Sequence, residues 1–121
     1  MPLSVPEALA DHQTKSVLKA CQVDDLPRYI FLSLLAGAYV GVAVVLLASV
    51  AGPLVAVDSP FAKLVEGAIF GVGLTLVVFA GAELFTGNTM VMLQGWRAGL
   101  VQPRDIWLVC AVSLIGNIVG S

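Results

Sequence analysis

The sequence predicts an all-α, multi-pass membrane protein, and three observations support that prediction. Hydrophobic residues make up 59% of the 121 residues and charged residues only 12%, about half the charged fraction of an average soluble domain. Short polar links separate three apolar runs, which cover residues 29–57, 64–93 and 106–121. Polar and helix-breaking residues interrupt the second run. This pattern favours a membrane bundle with a broken second helix over a soluble core.

The first 27 residues form a polar segment, which we predict to be an amphipathic helix over about residues 5–22 on the cytoplasmic membrane surface. Ser4-Val5-Pro6-Glu7 matches a capping box with a proline in the first helical turn. Apolar residues then recur at helical spacing. A mobile cytosolic tail is the alternative interpretation. Because the segment lacks the apolar core of a secretory signal peptide, we expect the first span itself to direct membrane insertion.

Residues 28–121 form the predicted membrane domain, and its first helix follows from the uncharged run over residues 29–57. A membrane span needs about 20 apolar residues. We predict a helix over about residues 28–50, because Gly52-Pro53 is expected to break it. Asp58-Ser59-Pro60 is then expected to make the turn into the next helix.

The second apolar run is too long for one straight helix. Thirty residues would measure about 45 Å, whereas the hydrocarbon core of a bilayer is about 30 Å thick. We therefore predict two helical pieces, over residues 63–84 and 89–97, with a break at Phe85–Thr89.

The third predicted helix covers about residues 106–121 and is still apolar at Ser121. Sixteen residues are short for a full span, so we expect the sequence to be a fragment truncated within this helix. Lys and Arg are most frequent in the N-terminal segment and in the link after the second helix. Since positive charge favours the cytoplasmic side, we predict a cytoplasmic N-terminus and a location in the cell inner membrane.

The stretch Gly81–Met90 places a carboxylate, an asparagine and two threonines inside the second run. A bilayer cannot satisfy polar groups, so this stretch must face protein or a wet cavity. Thr86 or Asn88 could cap a second half-helix, and the amides of Gly87, Asn88 and Thr89 would then face the cavity. A helix N-terminus suits an anion, although composition alone does not exclude a cation held by carbonyl oxygens.

Glu83 is expected to brace this stretch by bonding to freed backbone amides. Direct handling of protons or solute and a simple interfacial position are the alternatives. A GxxxG motif occurs in each apolar run, at Gly37–Gly41, Gly67–Gly71 and Gly116–Gly120. Small residues four positions apart allow close approach of helices, so these motifs predict packing and carry no information about substrate.

The remaining polar residues argue against several classes of function. His12 is expected to be a solvated surface histidine, and Cys21 and Cys110 are expected to be free thiols. The sequence contains no metal-binding constellation, no nucleophile with a base and no phosphate-binding loop. A basic patch with interleaved aromatic residues is also missing. We therefore predict a non-enzyme with no cofactor, no metal and no nucleic-acid partner.

Several motifs together resemble the formate/nitrite transporter family. The stretch Gly81–Met90 resembles the signature loop of that family, Leu35–Gly41 its first-helix signature and Gly116–Gly120 its third-helix signature. Pro6-Glu7 and Lys19-Ala20 match its N-terminal surface helix. The residues Glu-Leu-Phe-Thr-Gly-Asn-Thr-Met are nearest to the nitrite-channel branch. The match covers nearly the whole chain, in the right order.

The resemblance implies an aquaporin-like protomer of six helices in two inverted halves, of which this chain would be the first. It also implies a homo-pentamer with one pore in each protomer. Phe70 would form a periplasmic constriction, Leu74 and Phe85 a cytoplasmic constriction, and Thr86 would approach a histidine of the second half. By spacing alone, Phe70 and Leu74 are typical of packing or lipid-facing residues.

The predicted function is a membrane channel or transporter for small monovalent anions such as nitrite or formate, passive or proton-linked. An aquaporin-like channel for neutral solutes, or a structural membrane subunit without a pore, are the alternatives. The expected partners are the lipid bilayer, the anion and further copies of the chain. The predicted pore residues, all from the second run, are Phe70, Leu74, Phe85, Thr86, Gly87 and Asn88, with Glu83 as the brace.

Overall fold

The computed structural model of the protein describes residues 4–121, and these form five helices without a strand. In chain order the helices are α1 (Val5–Gln22), α2 (Leu26–Ala56), α3 (Ala62–Phe79), α4 (Phe85–Arg97) and α5 (Pro103–Gly120). Helices α2, α3 and α5 are long and apolar enough to cross a membrane. Helices α3 and α4 derive from a single apolar run. The all-α fold with an interrupted second span is therefore confirmed.

Helix α1 has the predicted bounds and the predicted capping box. The Ser4 side chain accepts the Glu7 N–H at 3.4 Å, and the Ser4 N–H donates to Glu7 Oε2 at 2.8 Å. The bond from the Ser4 N–H lowers the pKa of the Glu7 carboxyl below its ordinary value. Negative charge in the first turn also complements the helix dipole. Helix α1 packs against α4, with a smaller contact to α5.

Helix α2 continues beyond the predicted end near residue 50, and Pro53 lies inside it. The predicted break at Gly52-Pro53 is therefore wrong. A proline removes one N–H donor, and membrane helices tolerate the loss of that hydrogen bond. The helix ends instead at a Schellman turn, in which Asp58 adopts φ 50°. The Asp58 N–H donates to the Val55 carbonyl and the Ser59 N–H to the Leu54 carbonyl, which satisfies the last carbonyls of the helix.

The break in the second span lies at residues 80–84, earlier than the predicted Phe85–Thr89. Gly81 adopts φ 61°. The Gly81 N–H donates to the Val78 carbonyl and the Ala82 N–H to the Val77 carbonyl, which forms a second Schellman turn. Helix α3 therefore ends at Phe79, and the predicted pieces over 63–84 and 89–97 are wrong at their inner ends.

Replacing Gly81 with alanine tests this location of the break. No atom of the described chain lies within 4 Å of a Cβ built on Gly81, so the effect is conformational and involves no clash. A left-handed conformation costs an ordinary L-residue about 1–2 kcal/mol. We expect Gly81→Ala to lower the free energy of unfolding by about that amount. Gly87→Ala, at a helical glycine that is equally uncrowded, is the control and should not destabilise. Equal effects in thermal unfolding of the two variants would contradict the Schellman turn.

Helix α2 lies at the centre of the bundle and packs on both α3 and α5. Its contact with α5 is made through glycines, because a Cβ on Gly37 would lie 2.2 Å from the Asn117 carbonyl oxygen and one on Gly120 would lie 2.1 Å from the Leu34 carbonyl oxygen. At the remaining GxxxG motif, no described atom lies within 4 Å of a Cβ built on Gly67 or on Gly71. Two of the three motifs therefore pack against each other.

Helix α5 begins at Pro103 and not at residue 106, because Gln102 and Asp105 form a capping box. The Gln102 N–H donates to Asp105 Oδ2 at 3.0 Å. Buried apolar residues from α2, α4 and α5 and from the links that follow α1 and α4 meet in one cluster, which joins α1 and α4 to the bundle. This cluster comprises Val23, Tyr29, Met92, Val101 and Val109.

Candidate functional site

The break between α3 and α4 is held against α2 and α5 by backbone and amide hydrogen bonds. The Glu83 N–H donates to the Leu32 carbonyl of α2 at 3.1 Å. Asn117 of α5 accepts the Phe85 N–H at 2.8 Å through Oδ1. Its Nδ2 donates to the Glu83 carbonyl at 3.0 Å and to the Ser33 carbonyl at 2.8 Å. These bonds satisfy polar backbone groups that lipid cannot satisfy.

The Glu83 carboxylate forms an ion pair with Lys19 of α1, with Lys19 Nζ 2.5 Å from Glu83 Oε2. The side chains of Lys19 and Glu83 are 19% and 6% exposed. A carboxylate buried to that degree needs a partner of opposite charge. The pair joins the N-terminal helix directly to the break. Within residues 4–121 the carboxylate accepts no backbone N–H, so the expected bonding of Glu83 to freed amides is replaced by this ion pair.

Asn88 lies in the interior of the bundle and is 2% exposed. Its Nδ2 donates to the Tyr29 hydroxyl oxygen at 2.8 Å, and the Tyr29 hydroxyl donates to the Val109 carbonyl at 3.4 Å. This buried chain links α4, α2 and α5. The Asn88 amide therefore fixes the start of α4 from inside the bundle.

The N-terminus of α4 begins at Phe85, with Leu84 in the cap position and no side chain capping it. The predicted caps Thr86 and Asn88 are wrong, because both residues lie within the first turn. The Asn88 N–H donates to the Leu84 carbonyl. The N–H groups of Thr86 and Gly87 have no acceptor within the described part of the chain. The free amides at this positive helix end are thus those of residues 86 and 87, in place of the predicted set of Gly87, Asn88 and Thr89.

Five of the six predicted pore residues line two grooves that meet at the break. Phe85 and Thr86 line a groove of about 240 Å³ between α2 and α5, together with Leu84, Gly37 and Asn117. Leu74, Gly87 and Asn88 line a second groove of about 300 Å³, which also contains Lys19 and Glu83. Leu84 lines both grooves.

Thr86 is exposed in the first groove, and its hydroxyl has no hydrogen-bond partner within residues 4–121. Phe70 lies one turn before Leu74 on α3 and is 43% exposed. It lines neither of the two grooves at the break.

No local pattern in the sequence identified Lys19, Tyr29, Leu84 or Asn117 as parts of this site. Asn117 lies within the motif Gly116–Gly120, which indicated only packing. Lys19 belonged to a motif of the surface helix, but nothing in its local pattern identified Glu83 as its partner. His12 also differs from the prediction: it is half-buried, with Nδ1 2.8 Å from Gln94 Oε1 of α4.

Comparisons with known proteins agree with this architecture. The sequence model of the formate/nitrite transporter family matches residues 7–121. The nitrite transporter NirC of Salmonella typhimurium is 43% identical over 89 residues, which cover 74% of this chain and 32% of the transporter. The NirC protein of Escherichia coli has the same identity and coverage.

Two further proteins extend the comparison. A probable formate transporter of Methanothermobacter thermautotrophicus is 43% identical over 101 residues, 79% of this chain and 36% of the relative. A solved ion channel of the same family superposes with a TM-score of 0.81 at 33% identity, over 93% of this chain and 44% of the channel. The chain thus spans about a third of the length of these three curated relatives. Together with the interrupted span, these matches show that the chain belongs to the formate/nitrite transporter family.

Proposed function

We propose that this chain supplies one half of the pore of a membrane channel for small monovalent anions of the nitrite or formate class. The observation that carries the proposal is the N-terminus of α4, which begins inside an interrupted membrane span with the amides of Thr86 and Gly87 free. A helix end of this kind presents partial positive charge at membrane depth. The exposed Thr86 hydroxyl beside it adds a donor that an anion oxygen can accept.

The apolar side chains around this donor set restrict passage. Leu84 and Phe85 lie beside Thr86 in the same groove, and Leu74 lies on the neighbouring groove. Removal of a bare anion from water is expensive. An anion drawn to the helix end therefore crosses these apolar residues most easily after it has gained a proton. Phe70, one turn before Leu74 on α3, would form the periplasmic constriction.

The relatives support this substrate class. The bacterial relatives are named as nitrite transporters and the archaeal relative as a probable formate transporter, at the same 43% identity. The proposal therefore covers both anions. It further includes a homo-pentamer in the inner membrane, with the N-terminus and the link between α4 and α5 on the cytoplasmic side. Their Lys and Arg content supports that orientation.

The test is anion uptake by the complete gene product in proteoliposomes, followed by stopped-flow measurement for nitrite and formate. Water and glycerol permeation are measured on the same vesicles. Faster uptake of the anions than in protein-free vesicles, without glycerol permeation, supports the proposal. Glycerol or water flux without anion flux would support the neutral-solute alternative. A folded protein that conducts none of these would support a structural subunit.

Replacing Thr86 with valine is expected to reduce nitrite uptake by about 10- to 100-fold, because a hydrogen bond to a charged partner contributes about 1.5–3 kcal/mol. Valine keeps the branched shape and removes the hydroxyl. Thr86→Ser, which keeps the hydroxyl, should retain most of the uptake. Uptake rates are compared per folded protein at several pH values. Equal uptake by the valine variant and the native protein would show that the hydroxyl does not take part.

A further inference from the structure

Asn117 lies within the motif Gly116–Gly120, and the close helix packing of that motif does not account for its polar side chain. Its side chain reaches from α5 across the groove to the break, and it is half-buried there. One carboxamide joins three backbone groups, the Ser33 carbonyl of α2, the Glu83 carbonyl of the break and the Phe85 N–H of α4. The same residue lines the groove that contains Phe85 and Thr86.

The hydrogen-bonding capacity of this carboxamide shows what it does there. A primary amide has two N–H donors and one oxygen with two acceptor sites. Both N–H groups of Asn117 are used, towards the Ser33 and Glu83 carbonyls. Asn117 therefore has no donor left for a passing anion, although it lines the groove. Asn117 can therefore affect anion passage only through the positions of the backbone groups that it binds.

The two ends of the break are held differently. On the α3 side, the amides of residues 80–82 bond only to carbonyls of α3 itself, from Leu76 to Val78. On the α4 side, Glu83 and Phe85 are held to α2 and α5 by Leu32 and Asn117. Gly81, in its left-handed conformation, separates the two sides. Hydrogen bonds thus tie the start of α4 to α2 and α5, whereas the amides at the end of α3 make no hydrogen bond to any other helix that the structure describes.

We propose that Asn117 is a positioning residue that sets the location of the Phe85 ring and the Thr86 hydroxyl across the anion path, and so determines which anions pass. This inference rests on the proposed function. Asn117 fixes the first N–H of α4. The side chains of residues 85 and 86 project from this end of the helix. A shift of this helix end changes both the apolar constriction and the donor beside it.

The glycine contact between α2 and α5 makes this arrangement possible. A Cβ on Gly37 would lie 2.2 Å from the Asn117 carbonyl oxygen, and one on Gly116 would lie 2.4 Å from Ser33 Cβ. The helices therefore approach so closely that a side chain as short as asparagine reaches the Ser33 carbonyl. Aspartate retains an acceptor for the Phe85 N–H but presents oxygens to two carbonyls. Glutamine keeps all donors and acceptors on a side chain one methylene longer.

The experiment compares Asn117→Asp, Asn117→Gln and Asn117→Leu in the complete gene product, reconstituted in proteoliposomes. The measured quantity is the ratio of acetate to formate uptake, since acetate is larger by one methyl group. We expect the ratio to rise several-fold in Asn117→Asp and Asn117→Leu and to lie nearer the native value in Asn117→Gln. Ser113→Ala is the control, because the buried Ser113 hydroxyl bonds carbonyls of its own helix and should leave the ratio unchanged.

A ratio is independent of the amount of folded protein, so partial misfolding of a variant does not imitate the expected result. If Asn117→Leu fails to fold, the aspartate and glutamine variants still decide the question. A fall in both uptakes by the same factor, with the ratio unchanged, would overturn the positioning role and leave a structural role. Absence of anion uptake by the native protein would instead overturn the proposed function itself.

Discussion

Replacement of Lys19 with methionine is expected to destabilise the protein by about 3–5 kcal/mol, because it leaves the Glu83 carboxylate buried without its partner. The Glu83 side chain is only 6% exposed, and Lys19 is its sole ion-pair partner within residues 4–121. Removal of one member of a buried pair is far more damaging than removal of both. Methionine keeps the length and apolar stem of lysine, so lost packing contributes little to the effect.

The double variant Lys19→Met with Glu83→Gln separates charge burial from other causes. It contains no unpaired buried charge, so it should recover much of the stability lost in the single variant. Lys63→Met is the matched surface control, since Lys63 pairs with Glu66 at 2.9 Å but is 87% exposed. Exposed pairs contribute about 0–1 kcal/mol. Thermal unfolding in detergent measures all three variants, and an equal loss at positions 19 and 63 would contradict the account.

Replacement of Gly37 with alanine is expected to lower the free energy of unfolding by about 1–3 kcal/mol, the usual range for overpacking a close contact. The new methyl carbon would lie 2.2 Å from the Asn117 carbonyl oxygen and 2.9 Å from the Asn117 Cα. These are backbone atoms, which cannot rotate away as a side chain can. Helices α2 and α5 would have to separate, and the hydrogen bonds of Asn117 to the break would lengthen.

Gly67→Ala is the matched control, because it changes the first glycine of another GxxxG motif in a membrane helix. No described atom lies within 4 Å of a Cβ at Gly67. Alanine is also favoured over glycine inside a helix by about 0.5–1 kcal/mol. We expect this variant to be as stable as the native protein or slightly more stable. Greater destabilisation by Gly67→Ala than by Gly37→Ala in thermal unfolding would contradict the proposed packing.

Local sequence signals predicted the features that depend on neighbours in the chain. The capping box at Ser4–Glu7 and the bounds of α1 follow from residues three positions apart, and the structure confirms both. The charge-free run over residues 29–57 predicted a membrane helix in the right place. The long second run predicted a break, because its length exceeded the bilayer. These inferences needed no knowledge of tertiary contacts.

The errors arose where two local signals competed. Pro53 and Gly52 suggested the end of α2, but the Schellman turn at Asp58 ends it. Thr86 and Asn88 suggested a helix cap, but Gly81 ends α3 first and leaves room for α4 to begin at Phe85. A residue in the left-handed conformation terminates a helix by satisfying its last carbonyls. The sequence alone did not rank this effect above proline or polar caps.

Local sequence patterns could not predict the contacts that hold the site together. Lys19 and Glu83 are 64 residues apart, and Asn117 and Phe85 are 32 residues apart. Such pairs form only after α1 packs on α4 and α5 packs on α2. The family resemblance pointed to the correct loop, but the partners of its backbone groups required the structure. This is why Glu83 was expected to bond freed backbone amides, whereas its carboxylate pairs with Lys19.

Modification of a cysteine at position 86 tests most directly whether the start of α4 lies in the anion path. Cys21 and Cys110 are first replaced with serine, and Thr86→Cys is then treated with a positively charged thiol reagent in proteoliposomes of the complete gene product. Val57→Cys, in the exposed turn after α2, is the control, because the reagent can modify a cysteine there without blocking the anion path. We predict that modification at position 86 abolishes nitrite uptake, that excess nitrite slows the reaction, and that modification at position 57 has no effect. Full nitrite uptake after complete modification at position 86 would contradict the account.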